Sequence, residues 1–202
     1  MHRLLLLFAF LNLGTVIKAQ DLKEHLINID AGVTVGNYLG GGFHLNYIYK
    51  QKLSFQLGFS EYERKDPSRP DDYNGGLVSL FSFGENNPKD KLKSLSFLGG
   101  LVLPYKGNQK VRWNLRAGMT YSWHEVPINY KQIDTGLLGI NYSFEYDKSE
   151  TLGIIIKPEL EVAFSRYFGT GLAALVSYND QTFIVGVELI FKLGFLRGKI
   201  AH

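Results

Sequence analysis

Two sets of side chains in this sequence have residue types and spacings that could perform chemistry. Glu159 and Glu161 are two positions apart, so on a β-strand both carboxylates would point to one face and could hold a metal ion or act as an acid–base pair. Ser122 and His124 are spaced in the same way and are followed by Glu125, a combination that could serve an acyl hydrolase. Both possibilities depend on the elements that position these residues.

A structural network is the simpler explanation for the carboxylate pair. The same polar faces also carry cations, and charges that share a narrow interior usually pair with one another. We therefore predict an ion-pair network formed by Arg112, Arg116, Lys157, Glu159, Glu161, Glu188 and Lys192. The hydrolase is disfavoured because Glu125 points to the opposite face and the chain has no Gly-x-Ser-x-Gly motif. We predict that the protein is not an enzyme, with no catalytic residue, no metal site and no cofactor.

Alternation of apolar and polar residues is the dominant signal along the chain. In the segment 111–123, VRWNLRAGMTYSW, every odd position except Ala117 is a large apolar or aromatic residue, and the even positions are polar or glycine. The same two-residue period recurs over residues 27–35, 43–49, 53–59, 95–103, 154–164, 169–178 and 183–193. This period is typical of β-strands, and no helical period of useful length follows Gln20. The sequence predicts an all-β fold.

Three features indicate that the apolar face contacts lipid. A 13-residue strand is about twice the mean strand length in soluble proteins. Trp113 and Trp123 are ten residues apart, which is about 25 Å along the membrane normal for a strand tilted by about 40°. An arginine facing lipid would cost about 2–4 kcal/mol, so Arg112 and Arg116 must face the interior. We predict a closed antiparallel transmembrane β-barrel with Trp113, Tyr121 and Trp123 at the lipid interface.

The number of strands must be even if both chain ends lie on the same side of the membrane. We predict eight strands, with long external loops near residues 61–92 and 125–150. Two strand-like segments within these loops, LVSLFSF (77–83) and INYSFEY (140–146), would raise the number to ten if both crossed the membrane. We expect them to be hairpin extensions or inward-folded loops. Pro158 has no amide hydrogen, so we expect it at a bulge or near the external rim.

The first nineteen residues have the layout of a secretory signal peptide. A short basic start precedes an apolar run from Leu4 to Leu13 and a small residue at Ala19. We predict a signal peptide over 1–19 and a barrel over 20–202. The formal net charge of +3 falls to about +1 when Arg3 and Lys18 are removed with it. This balance offers no electrostatic basis for nucleic-acid binding, and without cysteine no disulfide holds the fold.

The C-terminal segment resembles a known group of proteins. The sequence ETLGIIIKPELEVAFSRYFGTGLAALVSYNDQTFIVGVELIFKLGFLR is similar to the end of small outer-membrane β-barrel proteins of Gram-negative envelopes, the OmpA/OmpX-like families. In that group a Lys-Pro-x-(Leu/Ile)-Glu strand, a short aromatic turn and a Gly-rich strand commonly precede the final strand. The resemblance implies location in the cell outer membrane, contact with outer-membrane lipid, and insertion by the outer-membrane assembly machinery.

The function predicted from these features is non-enzymatic. We expect a small barrel that acts in envelope structure or through its external loops, in adhesion or in binding a partner that the sequence does not identify. A porin-like barrel for small-molecule passage or binding is the alternative and requires an open lumen. A soluble periplasmic, lipocalin-like binder would instead have Trp113 and Trp123 in its interior. A lipid-modifying barrel enzyme would use Ser122 and His124.

Overall fold

A computed structural model describes residues 24–81, 87–105, 110–133 and 139–197 of the chain. The predicted signal peptide, residues 1–19, lies outside the described residues. Within them the chain forms the strands β1 (His25–Gly36), β2 (Leu39–Tyr49), β3 (Leu53–Lys65), β4 (Lys89–Pro104), β5 (Val111–Gln132), β6 (Tyr142–Ala163), β7 (Phe168–Asn179) and β8 (Phe183–Gly194), with a short helix α1 (Gly76–Phe81) between β3 and β4.

The strands form one closed antiparallel barrel. Each strand pairs with the next along the chain, and β8 pairs with β1, where Phe191 lies opposite Ala31. In the barrel wall, buried side chains that point inward alternate with exposed side chains that point outward, as along β1, β3 and β7. The prediction of an eight-stranded closed barrel is confirmed, and the ten-stranded alternative is wrong. No helix in the described ranges has the length and apolar character needed to cross a membrane.

Two strands are much longer than the others. β5 and β6 each contain 22 residues and pair from Val111 opposite Val162 to Gln132 opposite Tyr142. The pairing of β5 with β4 ends at Glu125, and that of β6 with β7 begins only at Gly153. Residues 126–132 and 142–147 therefore project beyond the barrel wall as a two-stranded extension, which we call the hairpin. The segment 140–146 contributes to this hairpin, as expected for an extension.

Two local expectations were wrong. The helix α1 (Gly76–Phe81) includes residues 77–81 of the strand-like segment 77–83, because a short apolar run does not by itself distinguish a strand from a helix. Asn74 Oδ1 accepts a hydrogen bond from the backbone amide of Gly76 at 2.9 Å and so caps the start of this helix. Pro158 lies in the middle of β6, opposite Leu115, with no register shift there. The pairing with β7 lapses at Lys157 and Pro158 and resumes in the same register, so the sheet tolerates the missing amide hydrogen.

The barrel has two distinct ends and a layered interior. We call the end with the connections at 50–52, 105–110 and 164–167 the turn end, and the opposite end, with the hairpin, the loop end. A buried apolar cluster of Leu26, Ile48 and Val102 fills the interior near the turn end. A second cluster, nearer the loop end, consists of Tyr38, Tyr62, Leu92, Leu98, Ile155, Leu175 and Ile184. Charged residues occupy the interior between them, as β8 illustrates by running from Ile184 through Glu188 to Lys192.

Candidate functional site: the charged interior and the loop end

The centre of the interior is a buried ion-pair network built around Glu159. Arg116 approaches Glu159 with Nη1 2.9 Å from Oε2, and Lys192 approaches the other oxygen, with Nζ 2.8 Å from Oε1. All three side chains are almost completely buried. Arg116 also donates from Nε to Ser54 Oγ at 2.8 Å, which ties β3 to the network. A single carboxylate on β6 therefore links β5 to β8 across the lumen.

The network extends toward both neighbouring sides of the barrel. Lys192 Nζ lies 3.2 Å from Asp30 Oδ2 and 3.5 Å from Glu161 Oε2. Glu161 is also paired with Arg112, whose Nη2 lies 2.5 Å from Oε1, and accepts a hydrogen bond from Asn114 at 3.0 Å. Lys192 is thus surrounded by carboxylates from β1 and β6. These contacts join three of the eight strands through one ammonium group.

A second part of the network surrounds Glu188. Lys157 Nζ lies 2.6 Å from Glu188 Oε2. His44 is placed between two carboxylates, with Nδ1 2.5 Å from Asp30 Oδ1 and Nε2 3.9 Å from Glu188 Oε1. The structure thus brings all seven residues of the predicted network together. Asp30 and His44 were missed, although the alternation of β1 and β2 puts both on the inward, polar face and is the signal that could have found them.

The charges of this network balance. Four cations (Arg112, Arg116, Lys157 and Lys192) face four carboxylates (Asp30, Glu159, Glu161 and Glu188), and each carboxylate has at least one cation within 4 Å. Across the described ranges, no three His, Asp or Glu side chains are grouped in a way that could hold a metal ion. The role of this network is therefore structural: its ion pairs hold the strands together across the lumen.

The outward face of the barrel is a continuous apolar surface. Trp113 and Trp123 are 41% and 37% exposed, whereas Arg116 on the opposite face of β5 is 2% exposed. Every strand contributes exposed apolar side chains, and we call this surface the apolar band; one member from each strand is Ile29, Phe43, Leu57, Phe97, Met119, Ile154, Leu172 and Leu189. The soluble-binder hypothesis, which puts the tryptophans inside and the arginines in solvent, is therefore wrong about which face of the sheet is buried.

The apolar band ends at the level of Trp123 on the loop-end side. Tyr121 packs edge-on against Trp123 with ring centroids 4.9 Å apart, and its hydroxyl donates to Glu150. Beside and beyond this level the outward positions are charged and paired across strands, as in Lys93 with Glu61 at 3.7 Å. The three predicted interface aromatics thus lie on the outward face. Two of them, Tyr121 and Trp123, lie at the boundary between the apolar band and the charged surface.

Ser122 and His124, the residues considered for hydrolysis, contact other residues and not each other. Ser122 Oγ donates to Ser94 Oγ at 3.2 Å, and both hydroxyls are buried. His124 Nε2 instead lies 2.5 Å from Asp90 Oδ1, and Nδ1 lies 3.3 Å from Gln181 Oε1. Nucleophilic catalysis by serine needs a hydrogen bond from the hydroxyl to the base. Both nitrogens of His124 face other residues, so Ser122 is not activated in this arrangement.

Asp90 is the centre of a polar cluster that closes the interior at the loop end. Its Oδ2 accepts hydrogen bonds from Tyr38 at 2.8 Å and from Arg64 Nε at 2.8 Å, and its Oδ1 faces His124. Thr182, in the connection between β7 and β8, lies 3.0 Å from the Tyr38 hydroxyl. We call these residues the rim cluster. It joins both short connections at the loop end to the wall formed by β3, β4 and β5.

The rim cluster predicts a dependence of local stability on pH. The hydrogen bond to Asp90 raises the pKa of His124 above 6.5, so its stabilising contribution is present at lower pH and is lost as pH rises through the raised value. Burial alone would raise the pKa of Asp90, but hydrogen bonds from His124, Tyr38 and Arg64 hold it below 3.8. The contribution of Asp90 is lost as pH falls through that lowered value. We expect the rim to be most stable between pH 3.8 and pH 6.5.

Hydrogen exchange tests this dependence. The protection factor of the Thr182 amide, corrected for intrinsic exchange, is expected to decrease when the pH is raised from 6 to 9, while amides in the centre of β8 stay protected. In the variant His124→Gln, the protection factor of Thr182 should no longer change over this range. An unchanged pH dependence in that variant would show that another group controls the rim.

The connection between β3 and β4 packs against the outward face of the hairpin. The Tyr130 hydroxyl donates to Asp66 Oδ2 at 2.6 Å, and the Tyr142 hydroxyl donates to Asp72 Oδ1 at 2.8 Å. Tyr73 stacks on Tyr142 with ring centroids 6.3 Å apart. A bulge between Ile128 and Lys131 puts Tyr130 beside Phe144, 5.8 Å away between ring centroids. The hairpin and the connection therefore form a single packed unit, which we call the loop-end unit.

Removing the Tyr130 side chain is expected to release this connection. Tyr130→Ala eliminates one hydrogen bond to a carboxylate and two ring contacts, so we expect chymotrypsin to cleave after Tyr73, whose ring stacks on Tyr142, about tenfold faster than in the unaltered protein. Tyr130→Phe keeps the ring and should give an intermediate rate. If cleavage after Tyr73 is equally fast in all three proteins, the connection is not held by this contact.

The fold and the two surfaces define a class of protein. A closed eight-stranded antiparallel barrel with an apolar outer band, a charged and filled interior, and one extended hairpin has the architecture of a small transmembrane β-barrel. The resemblance inferred from the C-terminal segment is confirmed at the level of the fold by comparison with solved structures.

Three solved structures have this fold at low sequence identity. A major outer membrane protein from Thermus thermophilus is 11% identical, with a TM-score of 0.60, covering 84% of this chain and 99% of that one. Neisserial surface protein A is 11% identical (TM-score 0.52; 85% and 97% covered). The N-terminal β-barrel domain of Pseudomonas aeruginosa OprF is 13% identical (TM-score 0.51; 84% and 97% covered). No protein-family model and no curated protein matches the chain.

Proposed function

We propose that this protein spans the outer membrane, with its apolar band in lipid, its turn end in the periplasm and its loop end outside the cell. The apolar band supports this location, because monomeric soluble proteins rarely expose a contiguous apolar surface of more than a few hundred Å². The closed sheet supports it too, because closure pairs every strand edge and so allows the backbone to lie in lipid. In outer-membrane barrels the short turns face the periplasm. Insertion would then require the outer-membrane assembly machinery.

Membrane location has a simple biochemical test. Protein extracted from the outer-membrane fraction should migrate as a compact species in unboiled gel samples and more slowly after boiling. Recovery in the soluble periplasm, with no change of mobility on boiling, would contradict the proposal. The same samples provide the folding control for every variant described here.

The observation that carries the functional proposal is the filled interior. From the turn end to the loop end the lumen contains an apolar cluster, the ion-pair network, a second apolar cluster and the rim cluster. What remains accessible to another molecule outside the cell is the loop-end unit. We infer that the barrel is a non-enzymatic scaffold that holds this unit rigidly at the cell surface, where it serves envelope structure or contact with an external partner.

A complementation experiment tests the role of the loop-end unit. A strain lacking the gene would be complemented with the unaltered gene or with a variant in which residues 126–147 are replaced by an Asn-Gly turn. Sensitivity to detergent and adhesion to surfaces would be measured in each strain. We expect the shortened protein to insert and to shift on boiling, yet to leave at least one defect of the deletion strain unrepaired. Full repair of every defect would contradict the proposal.

Passage of small molecules is the alternative that the filled lumen disfavours. In planar lipid bilayers the purified protein is expected to give no stepwise conductance above the bilayer baseline. The variant with residues 126–147 replaced is a suitable control, because its lumen stays filled although the hairpin is gone. Stable unitary conductance in the unaltered protein would mean that the lumen opens.

A further inference from the structure

A polar pocket next to the rim cluster contains cationic groups that the proposed scaffold does not require. It has a volume of about 300 Å³ and lies at the loop end of β3 and β4. Four cations, Arg64, Lys65, Arg69 and Lys89, and one carboxylate, Glu63, line it. Leu39, at the start of β2, forms its apolar margin.

Two of the four cations are already neutralised by partners. Lys89 Nζ lies 2.9 Å from Glu63 Oε1, and Arg64 Nη2 lies 2.7 Å from Asp90 Oδ2. Lys65 and Arg69, by contrast, form no ion pair within the part of the chain that the structure describes. Arg69 Nε is buried and has no hydrogen-bond partner among the described residues, although its guanidinium group is positioned 5.0 Å from the centre of the Tyr73 ring. Among the described residues, the pocket therefore has two positive charges without an ion-pair partner and a buried donor without an acceptor.

These features match an oxyanion with two negative charges. A guanidinium group and an ammonium group in one pocket offer several charge-assisted donors, the combination that binds phosphate oxygens. A buried donor without an acceptor costs free energy that such a ligand would recover. A phosphate monoester fits the charge of the pocket better than a carboxylate, which would neutralise only one of the two cations.

The apolar margin of the pocket indicates where the phosphate comes from. Leu39 is 55% exposed and continues the apolar band, since its neighbour in the register, Val35, is 63% exposed. A ligand in this pocket therefore contacts polar groups on one side and the lipid-facing surface on the other. We propose that the pocket binds the phosphate group of an anionic lipid headgroup at the outer surface of the membrane. The lipid source rests on the proposed membrane location, whereas the phosphate chemistry does not.

Nuclear magnetic resonance of the arginine side chains tests this proposal directly. The full chain in dodecyl maltoside micelles, which contain no phosphate, would be titrated with short-chain phosphatidic acid, with inorganic phosphate and with short-chain phosphatidylcholine. We expect a saturable shift of the Arg69 Nε–H resonance with phosphatidic acid and none with phosphatidylcholine. Lys65→Gln should weaken this binding about tenfold, because Lys65 is exposed and its loss removes a charge without disturbing packing. Lys52→Gln, at the opposite end of the barrel, is the matched control.

Each outcome has a definite meaning. A saturable shift with phosphatidic acid that depends on Lys65 supports the site, and competition by inorganic phosphate would confirm that the phosphate group is what is recognised. A shift with inorganic phosphate alone would overturn the lipid source. No shift, or equal binding in Lys65→Gln and Lys52→Gln, would overturn the site. Membrane location is tested separately by gel mobility, so failure of one proposal is distinguishable from failure of the other.

Discussion

Replacing Glu159 by Gln is expected to lower the free energy of unfolding by about 3–5 kcal/mol. The substitution keeps the size of the side chain but removes the charge shared by Arg116 and Lys192, which lie 2.9 Å and 2.8 Å from its two oxygens. Arg116 is then buried with no carboxylate partner among the described residues. Removing one partner of a buried ion pair is strongly destabilising because the remaining charge is neither solvated nor paired. The measurement is equilibrium unfolding by urea in lipid vesicles.

A double-mutant cycle shows whether the effect comes from the pair itself. Arg116→Met should also destabilise the protein. The loss of unfolding free energy in the double variant Glu159→Gln/Arg116→Met should, however, be much smaller than the sum of the losses in the two single variants. Glu125→Gln is the matched control, because the exposed pair of Glu125 with Lys148 should contribute at most about 1 kcal/mol. Strictly additive effects of the two interior substitutions would mean that the network does not act as a unit.

Replacing Gly32 by Ala is expected to lower the free energy of unfolding by about 3 kcal/mol. A methyl group at this position would overlap the Glu188 carboxylate and lie only 2.7 Å from Cδ and 2.9 Å from Cγ of that side chain. Glu188 could move away only by leaving Lys157, which it contacts at 2.6 Å. The substitution therefore either overpacks the lumen or separates an ion pair.

The control for this prediction is another glycine in the same sheet. Gly99 points outward on β4, and a methyl group there would meet only the Phe55 ring at 3.8 Å. Gly99→Ala should leave the free energy of unfolding unchanged or raise it slightly, because alanine restricts the unfolded chain. Equal stability of Gly32→Ala and Gly99→Ala would show that the lumen has room to spare around Glu188.

The fold was predictable because it depends on a pattern of period two. The segment 111–123 assigns its residues to two faces, and the cost of an arginine in lipid determines which face is inside. Such a pattern extends along a strand but contains no information on which residues of other strands lie opposite. The seven predicted network residues could therefore be assigned to the interior, whereas their particular partners, including Asp30 and His44, depended on the register.

The loop end was less predictable for a different reason. Tyr38, Arg64 and His124 come from separate parts of the chain, and the register of the sheet, which puts Arg64 opposite Asp90, brings them around the Asp90 carboxylate. The helix α1 was misassigned because its apolar residues are too few to define a period. The interior apolar clusters were also missed. Leu92 and Ile184 lie on faces that alternation assigns to polar residues, where an apolar side chain interrupts the pattern.

The central claim is that the apolar band contacts lipid, and fluorescence quenching by brominated phospholipids tests it most directly. The chain has only two tryptophans, Trp113 and Trp123, so its emission reports on the two edges of the band. In vesicles we predict strong quenching, greater for bromine at carbons 6 and 7 of the acyl chain than at carbons 11 and 12. The variants Trp113→Phe and Trp123→Phe should each show the same order. Emission insensitive to brominated lipid in both variants would contradict the lipid-facing assignment.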